Sequence, residues 1–175
     1  MFDHFIFIFY IYLFIFSTIG YGFFFSKLVN SELIQLNLGY QGIIGFFFLS
    51  LISTFSSYFL AHGFLHNTVI HLFGLSFFVN FFIKSYKFKD LKILLLLSLI
   101  LMIGCYVFKN HDDFPYYHLT YALNLSNDSF FIGTGVLGHG FRTASSIFYY
   151  HSTLYLPLIK FYLFHSIGWF TLIFA

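Results

Sequence analysis

The chain has 175 residues, of which 59% are hydrophobic and 8% charged, and its formal net charge is +2 with histidines neutral. A soluble domain carries roughly 25% charged residues, so a water-facing surface of ordinary polarity is excluded. The apolar content excludes disorder, the single Cys105 excludes a disulfide scaffold, and the scattered Lys and Arg leave no basic face for nucleic acid. What remains is an all-α, polytopic transmembrane protein, a single membrane-embedded domain over 1–175.

A helix needs about 20 mostly apolar residues to cross a hydrocarbon core ~30 Å thick. The first such stretch, 5–25, carries no charge. Asp3 and His4 precede it in place of a basic leader, so it reads as a retained span. Asn30 or Ser31 can cap a short surface helix bearing Leu33, Ile34 and Leu36. Gly39, Gly42 and Gly45 then recur every third residue at the mouth of the second span, 42–61, a spacing suited to close helix packing. Ser50, Ser53, Thr54, Ser56 and Ser57 stud that span and suit hydrogen bonds between helices. Spans three and four cover 67–83 and 93–108, with Cys105 an inert packing residue. A last stretch, 154–175, completes about five spans. It stops at Ala175 without an interfacial charge, as expected of the first part of a longer protein.

Lys84, Lys87, Lys89 and Lys92 crowd the link between spans three and four, which the positive-inside rule places in the cytoplasm. The N-terminus and a long loop, 109–146, then lie outside, giving a multi-pass protein of a bacterial inner membrane.

That outer loop, with short helices of its own, gathers Asp112, Asp113, Asp128 and the only arginine, Arg142. Adjacent carboxylates on a helix diverge by ~100°. One of the Asp112–Asp113 pair can therefore face a cavity as general base or metal ligand while the other caps a helix running to about Leu125; the alternative is a solvated pair that ends the span. The run His111-Asp-Asp-Phe-Pro-Tyr-Tyr-His118 resembles the outer-loop signature of GT-C-type membrane glycosyltransferases. The stretch from Gly138 to Tyr149 is similar to uncharacterised bacterial multi-pass proteins of that group.

The resemblance implies transfer of a sugar from a polyprenyl-phosphate donor to a hydroxyl acceptor at the outer membrane face. Asp113, or failing that Asp112, would be the base. Arg142 and His139 would bind the phosphate, and His118, Tyr116 and Tyr117 would orient the sugar or the acceptor. The implied partners are the lipid bilayer and the polyprenyl-phosphate-linked sugar. A divalent metal ion stays open as a cofactor, with no residue assigned to it. A transporter of lipid-linked sugars and a non-enzymatic multi-pass membrane subunit are the competing classes.

Other signals carry less. His62 and His66 share a helix-face spacing while His71 lies ~140° round, and His62 and His66 suit satisfied polar residues at a corner between spans better than a metal site. The run from Phe64 to Phe73 is similar to the second span of rhomboid proteases, but no Gly-x-Ser-Gly follows and Leu75 stands at the Asn position. Gly133, Gly135 and Gly138 spell G-x-G-x-x-G without the strand–turn–helix context of a dinucleotide site, and suit tight turns.

Overall fold

A computed structural model describes residues 2–85, 88–106, 113–129, 133–138, 141–142 and 145–175. The described residues are helical throughout, apart from turns and one isolated bridge between Leu156 and Lys160. Three helices form the frame: α1 (Phe2–Val29), α2 (Leu38–Ser57) and α3 (Phe64–Ser85). Each holds a stretch long and apolar enough to cross a membrane, at His4–Val29, Leu38–Ser57 and Phe64–Lys84.

Small residues let these helices meet backbone to backbone. A Cβ added at Gly45 would lie 1.8 Å from the Thr18 carbonyl oxygen, and one at Gly22 1.8 Å from that of Gln41. These pairs set α2 antiparallel to α1. On the other side, a Cβ at Gly20 would lie 1.9 Å from the Gly74 carbonyl oxygen. Ring contacts Phe14–His71, Phe16–Phe78 and Phe23–Phe81 advance together along both chains, so α3 runs parallel to α1. The glycine spacing at the mouth of α2 thus does serve close packing: Gly39 and Gly42 receive Phe174, and Gly45 receives α1.

The connections are locally determined. Asn30 Oδ1 accepts from the Glu32 N–H at 2.9 Å and opens the 3-10 turn Ser31–Gln35; Asn37 Oδ1 accepts from the Tyr40 N–H at 2.9 Å and starts α2. Most hydroxyls expected to bridge helices from α2 bond back to their own helix instead. Ser50, Ser53 and Thr54 donate to carbonyls four residues earlier, and Ser57 to one three earlier. A hydroxyl in a helix reaches that carbonyl without any neighbour moving.

The fourth expected span begins earlier, as α4 (Phe88–Tyr106). Lys89, Asp90 and Lys92 occupy its first turns, the apolar part follows from Ile93 to Tyr106, and positions 107 and 108 of the expected span lie outside the described residues. The Phe7–Tyr106 rings at 4.6 Å and the Ser98–Tyr12 hydroxyls at 3.3 Å set α4 antiparallel to α1.

The expected span 154–175 is not one helix. α6 (Ser146–Thr153) ends at Leu154, turns follow to Leu163, and the 3-10 turn Phe164–Ser166 leads into α7 (Ile167–Phe174). Pro157 cannot donate to a helical ladder, and Leu158 and Lys160 adopt left-handed φ of 69° and 48°. The break is held by Tyr10, whose hydroxyl donates to the Pro157 carbonyl at 2.5 Å. α7 is then wedged between α4, where Trp169 covers Gly104, and α2, where Phe174 covers Gly42.

In the loop before α6, a π-helical turn, Phe114–His118, continues as α5 (Leu119–Asn127). Gly133 and Gly138 have φ of 92° and 135°, so these glycines do serve turns.

Candidate functional site

Two polar constellations lie at the end of the bundle where α2 passes into α3. The first is the corner itself. Asn67 Nδ2 lies 2.6 Å from the His62 carbonyl and 2.8 Å from those of Ser152 and Tyr155, so the amide nitrogen faces three acceptors. Its Oδ1 is left to accept, and His66 Nδ1 donates to it at 2.9 Å. His66 Nε2 lies 3.1 Å from the Ser56 hydroxyl, which also donates to the Ser53 carbonyl at 3.1 Å. The same hydroxyl lies 3.0 Å from His62 Nε2, and His62 Nδ1 lies 2.5 Å from the hydroxyl of Ser152, which donates to the Tyr149 carbonyl at 2.8 Å.

His62 and His66 are the two imidazoles of this network. Their rings stack 4.5 Å apart at 3°. Burial first, and the neighbouring His66 second, lower the His62 pKa to about 3. Below this network, His71 donates from Nε2 to the Thr153 carbonyl at 2.9 Å and accepts from Ser17 at 3.0 Å, and the Tyr150 hydroxyl meets Thr18 at 3.0 Å. The His62 N–H donates to the Leu125 carbonyl at 2.7 Å, tying in the end of α5. These residues anchor α5 and α6 to the frame. Among the described residues no three His, Cys, Asp or Glu side chains group as a metal site.

The second constellation is the loop site. Asp113 is half-buried at the head of the π-helical turn, and its carboxylate makes no capping bond there. Asp112 and His139 lie outside the described residues, as does His111. Tyr116 is exposed. Tyr117 and His118 are half-buried with rings 6.0 and 5.0 Å from Phe148. Phe148, Tyr149, Tyr121 and Leu125 form a small apolar cluster that also takes Phe141, stacked on Tyr121 at 5.6 Å. Arg142 follows Phe141 and is exposed, its backbone passing over Gly135.

The structure therefore brings Tyr117, His118 and the Arg142-bearing segment onto one aromatic cluster, with Tyr116 turned outward. Eight positions, about 12 Å of helix, separate Asp113 from Tyr121, on which that segment rests.

Sequence reasoning missed one residue of this region, His151. It is 7% exposed, and its ring stacks with Phe148 at 6.1 Å. Its Nδ1 is a buried atom with no hydrogen-bond partner among the described residues. Burial first, and His118 second, lower its pKa to about 3. A histidine within an apolar run gives no spacing signal; only its place one turn below Phe148 marks it.

The chain matches no family model, no curated protein and no solved structure.

Proposed function

We propose that this protein is a multi-pass membrane glycosyltransferase of GT-C-like mechanism, moving a sugar from a polyprenyl phosphate to a hydroxyl acceptor at the outer membrane face. One observation carries the reading. The acid-bearing turn and the arginine-bearing segment, 29 positions apart in sequence, rest on one aromatic cluster, in the order Asp113, Tyr117, His118, Tyr121, Phe141, Arg142. Transfer needs a base at the nucleophile and a cation at the leaving phosphate. Asp113, half-buried at the head of the π-helical turn, is the base, and Arg142 is the cation that takes the phosphate oxygens through its guanidinium fork. Exposed aromatic and imidazole edges nearby suit the faces and hydroxyls of a sugar. π-helical turns also concentrate at functional sites, which gives the Phe114–His118 turn weight beyond its sequence.

The test uses full-length protein in proteoliposomes loaded with a radiolabelled polyprenyl-phosphate sugar. Asp113→Asn should lower the turnover number by roughly a hundredfold or more, the usual contribution of a positioned base. Arg142→Ala should weaken donor binding. Transfer at the wild-type rate in both variants would exclude the mechanism.

A further inference from the structure

Every ring nitrogen in the corner network has a partner, whereas His151 one turn below the loop's aromatic cluster does not. The ring is wedged between Phe148 at 6.1 Å and Phe164 at 6.3 Å, and it sits in α6, whose next residue, Ser152, is locked to His62 and Asn67. The Phe164 carbonyl draws the ring proton to Nε2, which leaves Nδ1 with a bare lone pair. A buried acceptor left without a donor is destabilising, and such an atom in a folded protein calls for an explanation.

His118 supplies the neighbouring half of the explanation. Its ring lies 5.0 Å from the same Phe148, on the half-buried, loop-facing side, and it belongs to the turn headed by Asp113. Among the described residues, the imidazoles acting on His151 are His118 and His165, and His165 is already engaged through Nε2 with the Cys105 carbonyl at 2.8 Å. Resting on the reading of Asp113 and Arg142 as a sugar-transfer site, we infer that His151 Nδ1 is the hydrogen-bond acceptor for one hydroxyl of the bound sugar, with His118 at the entrance to it.

The role is recognition and not proton abstraction. A neutral imidazole so reluctant to hold a proton is a poor base, and the carboxylate of Asp113 keeps that task. A site built to receive a hydroxyl discriminates against sugars that lack it, because the acceptor is then left bare.

The experiment measures binding of polyprenyl-phosphate glucose, polyprenyl-phosphate mannose and their monodeoxy counterparts to the full-length protein in nanodiscs. His151→Phe keeps the ring packing and removes both nitrogens; His151→Asn restores an acceptor near the Nδ1 position. Wild type should bind one parent sugar roughly tenfold more tightly than one of its deoxy forms, the scale of a single buried hydrogen bond. His151→Phe should erase that difference, and His151→Asn should restore part of it. Should His151→Phe fail to fold, the 15N resonance of His151 Nδ1 in wild-type protein must shift on adding the parent sugar and stay put with the deoxy form.

Equal loss of affinity for parent and deoxy sugars, or an unmoved resonance, would overturn the inference and assign Nδ1 to an internal water. Asp113→Asn would still abolish transfer in that case, so the reading beneath it would stand. No binding of any probe to wild type would overturn both.

Discussion

Asn67 carries the greatest structural weight of any single side chain here. Its amide nitrogen gathers three carbonyls from the α2–α3 corner, from α6 and from the turn after α6. An amide has two N–H groups for these three acceptors, so one of them is shared. Asn67→Ala should lower the stability of the full-length protein in detergent by about 2–4 kcal/mol, since each buried bond contributes ~1 kcal/mol and the abandoned carbonyls add a penalty. Asn67→Asp should be worse, because an ionised carboxylate would face the same three carbonyls with nothing to donate. A thermal scan in which Asn67→Asp melts with wild type would refute this account of the corner.

The histidine spacing in the sequence already marked this corner as a place of satisfied polar residues. What spacing could not show is the partner: Ser152 lies 90 positions beyond His62, and an isolated Ser in an apolar run looks like any other. His151 escaped for the same reason. Long-range polar pairs leave no periodic trace.

At the scale of elements, close approach was legible and chain reversal was not. Glycines at every third position of α2 announced a packed face because only a residue without Cβ admits a neighbouring backbone. The stretch after α6 defeated the same logic, since helix, turn and wedge here share one apolar composition. His151, Pro157, Lys160 and His165 interrupt the apolar run without showing where it breaks, and the reversal itself depends on hydrogen bonds from Tyr10 and Asn67 on other helices. The glycine reading makes a paired prediction. Gly45→Ala places a methyl 1.8 Å from a backbone carbonyl that no rotamer change can move, so it should cost about 1–3 kcal/mol as the helices separate. Gly168→Ala meets nothing within 4 Å and lies at the start of α7, where the gain in helix propensity should be neutral to stabilising by up to ~1 kcal/mol. Melting temperatures of the two variants should move apart; a shift of both in the same direction would mean that helix propensity, not contact, decides at Gly45.

For the whole molecule, the low charge content that excluded a soluble fold is less informative than where the charges stand once the helices are arranged. Because α1 and α3 run parallel while α2 and α4 run the other way, Lys27, Lys84, Lys89 and Lys92 come to one end of the bundle, and Lys27 Nζ lies 5.4 Å from the Phe81 ring there. The opposite end carries the histidine corner, Asp113 and the loop site. Lysines are retained on the cytoplasmic side during insertion, so the proposed orientation predicts that this lysine end faces the cytoplasm. Single cysteines in a Cys105→Ala background test it in intact cells with a membrane-impermeant maleimide. Ser129→Cys, exposed on the loop after α5, should react in intact cells. Glu32→Cys and Lys89→Cys, exposed at the lysine end, should react only after permeabilisation. Reaction of all three in intact cells would remove the four-lysine end from the cytoplasm. The reversed pattern would place Asp113 and Arg142 on the inner face, where the proposed sugar transfer could not occur at the outer surface.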